Sequence, residues 1–289
     1  MTSELKTRKR KAERIKERQK KQPLSEHELD LFLSTDAVSL ETLAAADAES
    51  DEQARRILTA TSPGSELLPG MVLLKRFLSP SEQQRLVDES REMGLAEGGF
   101  YKPTYASGAK CRLHQMCLGR HWNVVTEQYE QVRSNFDNAP VQALPTSWKE
   151  IAGKCLKAAR VVNEQVMGTC KSMEPDICVV NYYKKAGRNG MHIDKDESEE
   201  AMEMGSPVIS FSIGCAADFA FCDHYPDGHE GVPVVRLESG DVLVFGGPSR
   251  KVVHALTRVY ANSEPKWLRM RAGRLNLTFR EYKPQETET

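Results

Sequence analysis

The chain has 289 residues, with 40 Lys/Arg against 41 Asp/Glu and 39% hydrophobic residues, enough for a core in one large domain or two small ones. No apolar run approaches the roughly 18 residues of a spanning helix, and the opening MTSELKTRKRKAER has no apolar stretch, so neither a membrane span nor a secretory signal is expected. Seven cysteines (111, 117, 155, 170, 178, 215, 222) form an odd set without a Cys-x-x-Cys pair, which reads as reduced thiols of a cytosolic or nuclear protein.

The net charge of −1 hides a strong segregation. Residues 4–22 hold ten Lys/Arg against three Glu, a net of +7. Such an arm suits nuclear import, a contact with a nucleic-acid backbone, or plain solvation. Residues 24–60 invert the sign, with nine Asp/Glu against Arg55 and Arg56, and carry short amphipathic leucine pieces. Residues 1–66 are therefore expected to be a flexible charged extension, the stretch 61–69 a linker, and 285–289 a tail. One folded domain is expected over 67–284.

The first strand of that domain is expected at Met71–Phe77. Ser79-Pro80-Ser81-Glu82 is a capping box with proline at the first helical position, so a helix starts there, and Gly94 is its natural stop. Residues 98–126 contain no acid but carry Lys102, Lys110, Arg112 and Arg120 among Phe100, Tyr101, Tyr105 and Trp122. Cations with interleaved aromatics suit phosphate contact and base stacking, and an ordinary irregular loop has the same composition. Gly98, Gly99, Gly108 and Gly119 suggest mobility, as in a lid over about 98–130. A second capping box, Ser147-Trp148-Lys149-Glu150, opens a helix with apolar residues every three to four positions to near Gly168.

Val179, Val180, Tyr182 and Tyr183 read as a strand, and Met191-His192-Ile193-Asp194 as an extended segment. Alternate residues of an extended segment share a face, so His192 and Asp194 project together. They make two of the three ligands of a 2-His-1-carboxylate site, the arrangement of non-haem iron oxygenases. The acidic stretch after Asp194 does not fit a calcium loop, because Glu199 and Gly205 stand where glycine and glutamate are required. Residues 208–213, 218–221, 234–237 and 242–245 are short strands between Gly/Pro turns, which points to an antiparallel jelly roll or barrel. His254, just after Gly246-Gly247-Pro248, is the best third ligand; a satisfied core histidine is the plain alternative. In Arg274–Arg280 alternation is strict, with Leu275, Leu277 and Phe279 on one face and Arg274, Asn276, Thr278 and Arg280 on the other. If the polar face looks inward, its two guanidiniums need anions, and a dicarboxylate would satisfy them.

Taken in order, Asn181-x-Tyr183, His192-x-Asp194-Lys195-Asp196-Glu197, Gly240-Asp241 before Phe245-Gly246-Gly247, His254, and Arg274-x-Asn276-x-Thr278-Phe279-Arg280 resemble the AlkB family of iron(II)- and 2-oxoglutarate-dependent dioxygenases. The resemblance covers roughly residues 70–283. Met173–Cys178 and Met116–Gly119 look like the plant and algal members related to the eukaryotic AlkB homologue one group. The resemblance implies a mainly β, α+β fold with flanking helices around a double-stranded β-helix core. It implies Fe(II) on His192, Asp194 and His254, with 2-oxoglutarate and O2 as co-substrates.

By the same resemblance Arg274 would hold the distal carboxylate of 2-oxoglutarate, with Asn181 and Tyr183 nearby. Arg280 would sit near the carboxylate beside the keto group, with Asn276 assisting. Trp122 would stack on the base, Tyr129 would touch the nucleic-acid backbone, Asp196 would read an exocyclic amine, and Met116 would pack the pocket. The implied activity is oxidative demethylation of DNA or RNA bases, N6-methyladenine in DNA first and N1-methyladenine or N3-methylcytosine next. An inactive nucleic-acid-binding module of the same fold, and a dioxygenase acting on protein, are the alternatives. The expected protein is a monomer, not membrane-bound, in the nucleus, with the cytoplasm as a second location.

Overall fold

The computed structural model describes residues 42, 44–49, 64–103, 111, 113–123, 126, 128–184, 189–194, 198–226 and 231–282. In chain order the strands are β1 (Gly64–Leu68), β2 (Met71–Leu74), β3 (Leu113–Leu118), β4 (His121–Asn123), β5 (Gln128–Glu130), β6 (Ile177–Tyr183), β7 (Val208–Gly214), β8 (Ala217–Cys222), β9 (Val234–Leu237), β10 (Val242–Phe245), β11 (Val253–Val259) and β12 (Arg274–Arg280). Residues 42 and 44–49 are helical, and the helices described over their full length are α1 (Pro80–Leu95), α2 (Thr146–Val162) and α3 (Glu199–Met204). A seven-stranded antiparallel sheet runs β1-β2-β10-β7-β12-β6-β3, and a three-stranded sheet runs β11-β8-β9. Among the described residues no helix is long and apolar enough to cross a membrane.

Side-chain alternation sorts the large sheet into two faces. Val72, Val244, Ile209, Phe211, Leu275, Leu277 and Phe279 meet Leu86 and Val87 of α1 and Trp148, Ile151 and Cys155 of α2. Met71, Leu73, Leu243 and Phe245 turn the other way and pack on Phe219, Phe221 and Leu237 of the small sheet. The layers are therefore helices, large sheet, small sheet: a jelly-roll sandwich with helices on its outside. β2 and β10 are buried on both faces, which is why their sequences are continuous apolar runs. Toward β12 and β6 the apolar packing between the sheets gives way to polar side chains, and the cavity lies there.

Several expectations change. The stretch 61–69 is not simply a linker, because Gly64–Leu68 pairs with β2 and its Leu67 and Leu68 pack on the inter-sheet core. The Ser79 capping box forms as expected, Glu82 N donating to Ser79 Oγ at 3.2 Å and Ser79 N to Glu82 Oε2 at 3.0 Å. Gly94 is not the stop of α1, which continues to Leu95; a Cβ on Gly94 would lie 2.3 Å from the Phe100 ring. The second capping box does not form, because α2 begins one residue earlier at Thr146 and leaves Ser147 inside its first turn, behind Pro145. The helix also ends at Val162, and a separate 3-10 turn, Glu164–Met167, carries the chain to Gly168.

Of the expected lid over 98–130, residues 104–110, 112, 124, 125 and 127 lie outside the described residues, and the described ones include the strands β3, β4 and β5. β3 is the edge strand of the large sheet and pairs along its length with β6. Phe100 belongs to the helix-side core, and His114 and His121 are buried. Gly98 and Gly119 serve shape, with φ of +76° and +79°. A Cβ on Gly119 would fall 1.9 Å from the Asp176 carbonyl oxygen. Gly119→Ala combines that overlap with a left-handed backbone, and is expected to cost at least about 2 kcal/mol. A thermal melt should fall by about 5 °C or more; an unchanged melting temperature would remove this account of the position.

Candidate active site

His192 and His254 are brought together by backbone pairing. Each donates its N–H to the other's carbonyl, at 3.0 and 2.9 Å, so the segment before Asp194 is laid alongside β11. Two residues on, Asp194 lies on the same side, with Oδ1 3.6 Å from His192 Nε2 and 3.9 Å from His254 Nε2. One ligand atom from each of the three lies within 4.8 Å of the others. His192 Nδ1 lies 2.7 Å from the Gly190 carbonyl and His254 Nδ1 3.1 Å from that of Val252. Carbonyls only accept, so Nδ1 carries a proton in both rings and Nε2 is the nitrogen turned to the site. Burial lowers the His254 imidazole below its ordinary value against the pull of Asp194, which favours the neutral form a metal needs. Phe219 stacks on the His254 ring at 5.3 Å and fixes its plane.

The polar face of β12 looks inward. Arg274, Asn276, Thr278 and Arg280 all line a cavity of about 350 Å³ together with the three candidate ligands. Arg280 Nη2 pairs with Asp194 Oδ2 at 2.7 Å, both side chains buried. Burial alone would push the Asp194 carboxyl up; the Arg280 guanidinium and the two imidazoles overcome this and hold it well below its ordinary value. Arg280, expected beside a co-substrate carboxylate, lines the cavity and spends Nη2 on Asp194.

Arg274 is 1% exposed and donates Nη2 to Ser212 Oγ at 2.8 Å. Its Nε and Nη1 find no hydrogen-bond partner among the described residues. Open donors on a buried guanidinium call for an acceptor, and an anionic one such as a carboxylate suits them. Tyr183 lies directly across from Arg274 in register, and Asn181 from Asn276, all four lining the same cavity. Asn276 is a strut: its Nδ2 donates to Ser210 Oγ at 2.7 Å and to the Phe211 carbonyl at 3.0 Å. Both amide hydrogens are used, so Asn276 has none left for a co-substrate.

At the mouth, Trp122 on β4 faces Tyr129 on β5 across the hairpin, ring centroids 5.2 Å apart, and both line the cavity. Met116 does not. It is fully buried in the helix-side core, because it alternates with Gln115 and Cys117, which take the cavity face of β3. Asp196 lies outside the described residues. The sequence pattern does not single out Gln115, Ser212 or Arg250, whose Nη1 donates to the Asp194 carbonyl. No local motif marks them; the polar Gln115 in an otherwise largely apolar strand is the one signal.

Residues 70–280 match the family model described as "2OG-Fe(II) oxygenase superfamily". The chain is 42% identical over 229 residues to the "DNA N(6)-methyladenine demethylase ALKBH1C" of Arabidopsis thaliana, covering 76% of this chain and 50% of that protein. It is 27% identical over 218 residues to the "Alpha-ketoglutarate-dependent dioxygenase AlkB" of Escherichia coli, covering 74% of this chain and 91% of the relative. The solved structure titled "The structure of OsALKBH1" superposes with a TM-score of 0.68 at 38% identity, over 76% of this chain and all of that one. This chain is a member of the AlkB family of 2OG-Fe(II) oxygenases. It spans about half the length of the plant relatives it matches.

The AlkB family uses Fe(II), 2-oxoglutarate and O2, and the residues present fit that set. Two imidazoles and one carboxylate offer three donors on one side, which leaves positions free for co-substrates. Arg274 offers the unpaired donors at the cavity wall.

Proposed function

We propose that this protein is an oxidative demethylase of N-methylated nucleobases, acting first on N6-methyladenine in DNA. The observation that carries the reading is one cavity bordered by the His192–Asp194–His254 donor set, the orphaned Arg274 guanidinium and the Trp122/Tyr129 pair. Iron held by the three ligands supplies the oxidising chemistry with 2-oxoglutarate and O2, ending in succinate, carbon dioxide and formaldehyde. The chain's own residues do the rest. Arg274 clamps a carboxylate of 2-oxoglutarate. The Arg280–Asp194 pair holds the ligand carboxylate in one orientation and in its charged form. Trp122 offers an aromatic face to the base, Tyr129 meets the backbone beside it, and Asp196 reads the exocyclic amine. A duplex substrate must present its base by flipping, at a cost of a few kcal/mol, and a single strand avoids that cost.

The name of the Arabidopsis relative supports the choice of base. We read the protein as a monomer, nuclear through the Lys/Arg run of residues 6–21, with the residues ahead of β1 as an extension to the catalytic domain.

The test is formaldehyde release and mass-resolved demethylation with Fe(II), 2-oxoglutarate and ascorbate. The panel is single- and double-stranded DNA and RNA carrying N6-methyladenine, N1-methyladenine or N3-methylcytosine. Loss of N6-methyladenine from DNA is expected, abolished in His192→Ala and reduced about tenfold or more in Trp122→Ala, since base stacking is worth about 1–3 kcal/mol. Turnover of 2-oxoglutarate with no change in any oligonucleotide would discard the nucleic-acid assignment. No turnover at all would leave a binding module.

A further inference from the structure

A row of polar side chains crosses the cavity face of the large sheet. Tyr101, which bridges to β3, donates its hydroxyl to Gln115 Oε1 at 2.8 Å. Gln115 Nε2 donates to Asn181 Oδ1 at 3.1 Å. Asn181 thus has its oxygen occupied from one side. Its Nδ2 makes no hydrogen bond among the described residues, and the side chain lines the cavity on the strand next to Arg274. We infer that Gln115 is a positioning residue that fixes which end of the Asn181 amide faces the co-substrate.

The chemistry is that of a two-ended amide. Asn181 can meet a carboxylate only through its N–H groups, and an amide free to rotate by 180° would present its oxygen half the time. Gln115 removes that freedom by donating to Oδ1. Gln115 is itself oriented, because Tyr101 donates to its oxygen. Tyr101 is held in turn by the recognition segment: its ring lies 5.7 Å from His121 of β4 and 5.0 Å from Phe136, with the Arg133 guanidinium 5.0 Å over it. The relay therefore joins the segment that carries Trp122 to the place where 2-oxoglutarate is held.

This inference rests on the reading of the cavity as a 2-oxoglutarate site. The experiment is calorimetric titration of 2-oxoglutarate into the Mn(II)-loaded full chain without oxygen, so that binding is read without turnover. Gln115→Leu is expected to weaken binding about tenfold and Tyr101→Phe by less. Gln115→Glu is the sharper variant. A carboxylate only accepts, so Asn181 must turn its N–H groups toward it and offer its oxygen to 2-oxoglutarate, for a loss of about a hundredfold. In an Asn181→Ala background the same Gln115→Glu change is expected to add less than about threefold, since its effect runs through Asn181. A purely structural role would lower affinity equally in both backgrounds, and that outcome overturns the proposal. So does wild-type affinity in both Gln115 variants while Arg274→Leu loses binding. If Arg274→Leu also binds normally, the 2-oxoglutarate reading itself falls, and this inference with it.

Discussion

Replacing Arg274 with leucine is expected to abolish 2-oxoglutarate binding and, in the same protein, to raise the melting temperature of the ligand-free form. The two effects have one cause. The guanidinium is buried with two donors unmatched among the described residues. Burial pushes its pKa down to about 10, with Tyr183 and Asp241 opposing. At 1.36 kcal/mol per unit, the folded chain carries a penalty on the order of 3 kcal/mol for keeping this cation. The sign is that of a base with a depressed folded value. The penalty is constant below about pH 10 and is relieved as pH rises from there toward the ordinary arginine value, a window in which the unfolded chain binds more protons. Leucine removes the penalty at neutral pH, against the loss of one hydrogen bond to Ser212. The ligand-free melting temperature should rise by several degrees, at about 2–4 °C per kcal/mol. Two charge-assisted bonds to a carboxylate are worth about 3 kcal/mol or more, so affinity should fall by at least about a hundredfold. Wild-type protein should be stabilised by 2-oxoglutarate and the variant should not. A variant that melts lower and still responds to 2-oxoglutarate would sink the assignment.

The second large effect is expected at Arg280. Its partner Asp194 is buried, and the guanidinium is the first of the groups that hold that carboxyl low. Arg280→Met leaves a buried carboxylate without its ion-pair partner, a change that costs about 3–5 kcal/mol in comparable buried pairs. Because the folded carboxyl titrates below the ordinary 3.8, its contribution to stability is present above that value and is lost as pH falls through the depressed one. In Arg280→Met the acid unfolding midpoint of the metal-free protein should therefore move to higher pH. The double variant Arg280→Met with Asp194→Asn should regain much of the stability and bind no metal. Equilibrium acid unfolding with a Mn(II) titration reads both. If the double variant is no more stable than the single one, the pair is not what holds this part of the fold.

Much of the fold is legible in the chain because the physics is local. Arg274–Arg280 alternates with period two, so its polar face and its bounds follow from the order of residues alone. The strands at 208–214 and 242–245 announce themselves by apolar runs between glycines and prolines, and the family motif marks His192, Asp194 and His254. What is not legible depends on neighbours far along the chain. β3 reads LHQMCL, with polar His114 on the same face as Met116, so Gln115 alone is too weak a signal to say that Met116 faces helices while Gln115 faces the cavity. The acid-free composition of 98–126 suggests a nucleic-acid lid, yet several of its aromatics and histidines serve the core. Ser147 has the letters of a cap, but Pro145 fixes the helix start ahead of it. The pairing of Arg280 with Asp194 joins residues 86 positions apart and exists only once the two sheets face each other.

The order of strands in space carries a consequence for biosynthesis. β12 sits between β7 and β6, pairing with both, and every other strand of the large sheet precedes it in the chain. Until residues 274–280 leave the ribosome, β6 and β7 have no partner on their facing edges, and Arg274 and Arg280 are absent from the cavity wall. Vectorial folding can therefore assemble the helices, the β2–β10–β7 group and the small sheet, but not the site. For that interval the nascent chain shows two open strand edges beside an apolar face, the condition under which chaperones bind and aggregation competes. A ribosome stalled anywhere between residues 254 and 274 would hold a chain with all three candidate metal ligands synthesised and no closed sheet to carry them.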